Sequence, residues 1–342
     1  TQFQLDYPEN FNFGYDVVDA MADLAPQQRA LVWCNGEGQE EVFTFADLRR
    51  KSNQAARVLR RAGIGRGDHV MVALKRHYEY WFVAVALHKL GAVLIPVTHM
   101  LTEQDILYRL NCSPVRAILC TPQNQVPDRM AGAVAQAGLD CRLFTVQQDV
   151  PGFVNLTRAM AAEAETLERL PTRAADPMIL YFTSGTTGQP KGVVHDFTYP
   201  LAHIITAKYW QQVQENKLHM SVSDSGWAKF GWGKIYGQWI CGATIFAYDM
   251  KKFIPTNLLQ HMQDYKLTTF CAPPTMYRFM LQEDVASYDL SSIETFATAG
   301  EPLNPEVFEQ WKRLTGKEIR EGFGQTEGSV LLANFPSITP KP

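Results

Sequence analysis

Apolar positions in the first third of the chain alternate between two periods. Across residues 44–62, Leu48, Ala55, Val58 and Leu59 share one face of a helix, while Lys51, Arg57, Arg60 and Arg61 fall on the wet side. Thr44 supplies a hydroxyl at the cap position, and Gly63 ends the pattern. The turn Gly65-Arg66-Gly67-Asp68 introduces a short apolar run at 70–74 that reads as a strand, and a helix over 78–90 then stops at Gly91. The order repeats with a strand at 92–96, a helix at 102–111 and a strand at 116–120. Strands and helices alternating at this pace predict an α/β fold, with parallel sheets flanked by helices on both faces.

Residues 123–176 are richer in Ala, Gln, Glu and Pro and hold one short strand candidate, at 141–146. The end of this stretch, near Pro171 and Pro177, is the expected boundary between a first α/β subdomain, residues 1–170, and a second, residues 171–342. Beyond it come a strand at 178–183, a Gly-rich loop and a helix at 201–210. A helix at 255–265, a strand at 268–272, a helix at 275–282 and a strand at 295–299 continue the alternation. Asn304 caps and Pro305 opens a last helix that closes at Gly316. The most apolar stretch, 80–97, is interrupted by His88, Lys89, Gly91 and Pro96, so it predicts a helix and a strand rather than a membrane span. Residues 1–13 lack a basic region leading into an apolar one, which argues against a secretory signal.

Composition narrows the classes. Hydrophobic residues at 46% and charged residues at 20% are globular usage, so the chain is expected to bury a sizeable core. Lys plus Arg number 32 against 35 acidic residues, a net charge of -3 that offers no field to hold nucleic acid. Cys34, Cys112, Cys120, Cys141, Cys241 and Cys271 show no C-x-x-C spacing and sit mostly in apolar runs, as expected for reduced residues of a cytoplasmic protein.

The chemistry is concentrated in one stretch. Tyr181-Phe182-Thr183-Ser184-Gly185-Thr186-Thr187-Gly188-Gln189-Pro190-Lys191-Gly192 carries an apolar strand into a run of glycines, hydroxyls and a lysine. Glycines let N–H groups converge on an anion, hydroxyls donate to phosphate oxygens, and the lysine adds a mobile positive charge. The pattern is a phosphate cradle, although Pro190 before Lys191 and Gly192 after it exclude the Walker A arrangement. Downstream stand Ala299-Gly300-Glu301-Pro302-Leu303 and Glu321-Gly322-Phe323-Gly324-Gln325-Thr326-Glu327. Between the phosphate cradle and these two motifs, Ser223-Asp224-Ser225-Gly226-Trp227-Ala228-Lys229-Phe230-Gly231-Trp232-Gly233 forms an aromatic, Gly-rich run.

These motifs, in this order, resemble those of the adenylate-forming superfamily, and the aromatic run resembles its acetyl- and medium-chain acyl-CoA synthetases. The resemblance implies the family's N-terminal domain and an enzyme that joins a carboxylic acid to AMP and then to coenzyme A, with ATP, Mg²⁺ and coenzyme A as its small-molecule partners. It assigns nucleotide binding to Thr183, Ser184, Gly185, Thr186, Thr187, Gly188, Gln189, Pro190 and Lys191. Gly300, Glu301, Pro302, Glu321, Gly322, Phe323, Gly324, Gln325 and Thr326 complete that set, with Phe323 stacking on adenine. Thr183, Lys191 and Glu327 carry the catalysis, Glu327 as the Mg²⁺ ligand, while Trp227, Trp232 and Gly300 line the acid pocket. Asp224 resembles the ammonium-holding carboxylate of amino-acid-activating relatives, but its Asp-x-Gly-Trp context favours the acyl-CoA branch. The family's remaining catalytic parts follow the Thr-Glu motif, so the chain is expected to be a fragment without the C-terminal domain, inactive alone. Two alternatives remain open, loading of a carrier protein and nucleotide binding without chemistry, and association as a homodimer is compatible with any of these readings.

Overall fold

The computed structural model describes residues 5–183 and 188–340. Among the described residues fifteen strands form two sheets. In chain order they are β1 Arg29–Asn35, β2 Glu40–Thr44, β3 His69–Ala73, β4 Val93–Pro96, β5 Val115–Cys120, β6 Arg142–Thr145, β7 Val154–Asn155 and β8 Pro177–Thr183. There follow β9 Lys191–Asp196, β10 Leu218–Ser221, β11 Thr244–Asp249, β12 Thr269–Ala272, β13 Thr295–Thr298, β14 Ile319–Gly324 and β15 Val330–Ala333. The expected class holds: both sheets are largely parallel and flanked by helices.

Two compact units divide the chain. The first takes the residues up to Gln27, Thr44–Tyr199 and Asp224–Ala228, and contains a seven-stranded sheet in the order β7-β6-β5-β3-β4-β8-β9. Its strands run parallel except β9, which returns antiparallel along β8. Buried Met71, Ile95 and Ile118 of three adjacent strands pack against Ile106 and Leu110 of the helix Glu103–Cys112 and against Met130 of the helix Val126–Ala137. Local chemistry fixes the helix starts. Thr44 accepts from the Asp47 N–H while the Asp47 carboxylate accepts from the Thr44 N–H, and Thr102 and Asp105 repeat this reciprocal cap. Gly91, at φ +68°, ends the helix Glu79–Leu90 in the left-handed conformation that a Cβ disfavours.

The second unit takes Gln28–Phe43, Pro200–Ser223 and the chain from Lys229 onward. Its eight-stranded sheet runs β15-β14-β13-β12-β10-β11-β1-β2, with β14 and β15 antiparallel. Phe270 and Phe296 meet Tyr277 and Trp311 there, Trp311 standing edge-on to Phe296 at 5.1 Å between centroids and to Tyr277 at 4.9 Å.

This division corrects the boundary expected near residue 170. The strand β8, which leads into the Gly-rich run, pairs with β4, Leu94 opposite Ile179, and so belongs to the first unit. The early strand β1 pairs with β11, Leu31 opposite Ile245, and belongs to the second. Parallel neighbours are joined by crossovers, so one cut along the sequence cannot separate the sheets. The stretch 123–176 also holds more structure than expected: the helix Val126–Ala137, the short strand β7 and the helix Leu156–Ala161. Among the described residues no helix is long and apolar enough to cross a membrane. All six cysteines are free, and Cys112 is exposed rather than in the core.

Candidate active site

In the first unit, the carboxyl end of β8 lies at the same end of the sheet as those of β3, β4 and β5, the end where open parallel sheets bind ligands. The chain reverses there and returns as β9, with Thr183 opposite Lys191 and Phe182 opposite Gly192. Two of the expected catalytic residues therefore face each other at the foot of the loop. Ser184, Gly185, Thr186 and Thr187 lie outside the described residues. On the return side, Gly188 takes φ +92°, Gln189 and Lys191 are exposed, and Pro190 is half-buried. His195, further along β9, stacks on Tyr199 at 4.2 Å with Tyr181 edge-on, which is ordinary aromatic packing.

The second unit brings the downstream motifs together at the carboxyl ends of β13 and β14. Thr298 stands opposite Glu321 in the ladder, and the Leu303 N–H donates to Glu321 Oε1 at 3.1 Å, which ties Gly300, Glu301 and Pro302 to the start of the second motif. Gly300 adopts φ +107°, a backbone that a side chain would strain, and the Thr275 hydroxyl donates to Glu301 Oε2 at 2.6 Å. Phe323 is 53% exposed, so its ring presents a face for stacking. A register shift at Gly324 leads into a tight turn, where the Gly328 N–H donates to the Gln325 carbonyl at 3.2 Å. Thr326 and Glu327 occupy the tip of this turn, and Glu327 is exposed with no ion pair among the described residues.

The expected acid-pocket residues do not form one cluster within either unit. Trp227 belongs to the first unit and is 61% exposed, whereas Trp232 and Gly300 belong to the second. Gly226 explains part of the Trp227 segment: a Cβ there would lie 2.2 Å from the Thr98 N, so only glycine permits this approach. Asp224 is engaged locally, accepting from the Gly226 N–H at 3.1 Å and lying 3.7 Å from His99 Nδ1. Burial lowers the His99 pKa, Asp224 opposes that shift, and Lys75, Arg76 and Arg129 reinforce it.

Around Trp232 the second unit forms an apolar wall from Trp210, Cys271, Ala297 and Ala299. The helix expected over 201–210 is α only for Tyr199–Ile204, and Ile205–Trp210 is a π-helix that ends with Trp210 fully buried. Trp210 lies 5.7 Å from Trp232 and donates from its indole to the Arg320 carbonyl at 3.2 Å. Sequence reasoning missed Lys229, which sits in this wall. Its ammonium donates to the Ala299 carbonyl at 3.2 Å and lies 5.8 Å from the Trp232 ring centroid. Burial lowers its pKa, with Cys271 and Glu301 opposing. A partly desolvated cation beside an apolar wall suits a ligand with an anionic head and an apolar tail. A lysine amid aromatic residues in a Gly-rich run was the available signal.

No group of three or more His, Cys, Asp or Glu side chains among the described residues would cage a metal. A single exposed carboxylate such as Glu327 instead suits Mg²⁺, which keeps several waters and binds through one or two carboxylates and substrate phosphates.

Comparison with known proteins agrees with this geometry. The model of the AMP-binding enzyme family matches residues 18–342. Mouse acyl-coenzyme A synthetase ACSM3, mitochondrial, is 36% identical over 347 residues, covering 99% of this chain and 60% of that protein. The human enzyme named acyl-coenzyme A synthetase ACSM4, mitochondrial, is also 36% identical, covering 98% and 59%. A crystal structure of Brucella canis acyl-CoA synthetase superposes with a TM-score of 0.87 at 22% identity, covering 97% of this chain and 60% of that one. Anthranilate CoA ligase AuaEII, in complex with anthranoyl-AMP, gives a TM-score of 0.89 at 22% identity, covering 98% and 64%. The chain thus spans about 60% of the length of the curated relatives it matches. With motifs, fold and family model in agreement, the chain belongs to the AMP-binding enzyme family.

Proposed function

We propose that this chain supplies the nucleotide- and acid-binding part of an AMP-forming acyl-CoA synthetase. The observation that carries the reading is the pairing of Thr183 with Lys191 at the carboxyl end of a parallel sheet, which closes a Gly- and hydroxyl-rich loop at its foot. Relatives named acyl-coenzyme A synthetases and an anthranilate CoA ligase support the reaction class.

In that reaction a carboxylate oxygen attacks the α-phosphorus of ATP and the bond to pyrophosphate breaks, its electron pair leaving with pyrophosphate. The sulfur of coenzyme A then bonds to the acyl carbon and AMP departs. Lys191 and the Thr183 hydroxyl counter the charge that builds on the phosphate oxygens, an electrostatic role that needs no proton transfer. Gly300, Glu301 and Pro302 line the adenine, Phe323 stacks on it, and the Thr326 hydroxyl donates to the α-phosphate. Glu327 would hold Mg²⁺, which neutralises phosphate charge when bound. Trp232, with Trp210 and Cys271, takes the acid's apolar part.

Six free cysteines suit a thiol-reducing compartment. The cytoplasm is one such place, and relatives named mitochondrial leave that organelle equally open. A homodimer remains a proposal for sedimentation to test.

Acid-dependent ATP–pyrophosphate exchange by the complete enzyme tests the first half-reaction, and consumption of coenzyme A tests the second. Both are expected, with Lys191→Ala lowering exchange about a hundredfold. Exchange without coenzyme A consumption would favour carrier-protein loading. Exchange unaffected by Lys191→Ala would favour nucleotide binding without chemistry at this loop.

A further inference from the structure

The reading above makes Lys191 the charged group of the phosphate loop, and the first unit contains a brace for it. Two consecutive residues of the helix Glu103–Cys112 reach opposite feet of the loop. The Tyr108 hydroxyl donates to the Pro190 carbonyl at 3.0 Å, and the Arg109 guanidinium lies 5.3 Å from the Phe182 ring centroid. Phe182 directly precedes Thr183, Pro190 directly precedes Lys191, and Thr183 and Lys191 are ladder partners. The helix is a firm base. Thr102 and Asp105 cap it reciprocally, Ile106 and Leu110 are buried in the core, and buried Arg109 donates to the Asp105 carbonyl at 2.7 Å.

Proline gives the Tyr108 contact its leverage. The ring fixes φ at Pro190 and removes its N–H, so ψ is the only soft backbone torsion there. The Pro190 carbonyl and the Lys191 N–H belong to one rigid peptide plane. A hydrogen bond that orients this carbonyl therefore orients the plane from which the lysine side chain departs. A phenol with its ordinary pKa near 10 is protonated at neutral pH and so has the proton it donates.

We propose that Tyr108 is a positioning residue, which sets the direction of Lys191 through the Pro190 carbonyl, with Arg109 steadying the opposite foot through Phe182. The inference rests on the reading of Lys191 as the phosphate-binding lysine.

The test is Tyr108→Phe in the complete enzyme, which removes one oxygen and keeps the ring. Its thermal transition is expected to match the wild type, and kcat/KM for ATP in pyrophosphate exchange to fall about fivefold, as for loss of one neutral hydrogen bond. KM for the acid should stay within twofold. In a Lys191→Ala background the same substitution should change exchange by less than twofold, because the residue through which it acts is gone. Wild-type exchange by Tyr108→Phe would overturn the inference, as would equal losses in both backgrounds, which would mark the hydroxyl as merely structural. Lys191→Ala with undiminished exchange would instead overturn the parent reading.

Discussion

Trp210 stands where it does because residue 322 is glycine. A Cβ on Gly322 would lie 2.4 Å from Trp210 Cζ2, closer than real atoms approach, so any side chain there must displace the indole. The indole cannot yield freely, since it is fully buried against Trp232 and held by the Arg320 carbonyl. Gly322→Ala is therefore expected to cost about 1–3 kcal/mol in urea unfolding, as overpacking does. It should also raise KM for the acid more than KM for ATP, and an unchanged acid KM would separate Trp210 from the acid. At this scale, legibility followed how local the motif was. Lys191 and Glu327 stand in patterned runs that single them out as candidates, and Asn304 and Gly316 marked their helix as expected, with Gly316 at φ +72°. Lys229 could not be read, because its meaning depends on the Ala299 carbonyl seventy positions away.

Among the elements, helices with cap residues were legible and strand partners were not. The reciprocal caps at Thr44 and Thr102 are four-residue signals, complete in the sequence. That β1 would lie beside β11 is a fact about crossovers, and nothing near Leu31 announces Ile245. The helix Glu79–Leu90 shows a further limit. Its apolar run was clear, yet His88 and Lys89 looked like interruptions, whereas all twelve of its residues are buried. Lys89 is accommodated by Asp19 at 2.6 Å, Asn53 at 2.7 Å and Ser52 at 3.0 Å, and burial still lowers its pKa to about 8.

Glu79, at the start of the same helix, accepts from Gln147 and Thr157 at 3.1 Å each, yet burial raises its pKa to about 7. Between the ordinary carboxyl value of 4.5 and about 7, the folded chain holds a proton that the unfolded chain has released. This group therefore contributes a loss of stability as pH rises through that window. Glu79→Gln, neutral at every pH, removes that loss. The stability of the variant relative to wild type should grow from pH 4.5 to 7.5 in urea unfolding, and a constant difference would show that folding does not raise the Glu79 pKa.

At the scale of the molecule, each unit is a largely parallel sheet with an antiparallel hairpin along one edge, and each hairpin carries a motif. In the first unit the β8–β9 hairpin carries the Gly- and hydroxyl-rich run, and in the second the β14–β15 hairpin carries Thr326 and Glu327. The α/β class was legible from the alternation of periods, because parallel sheets and crossover helices leave that signature along the chain. The membership of the units was not, because the chain passes between them at residues 27–28, 43–44 and 199–200, and twice more around 224–228.

The most direct test is a crystal structure of this chain with ATP. The triphosphate is expected at the foot of the β8–β9 hairpin, with the Lys191 ammonium and the Thr183 hydroxyl within hydrogen-bonding distance of its oxygens. ATP bound elsewhere, with Lys191 making no contact to phosphate, would contradict this expectation.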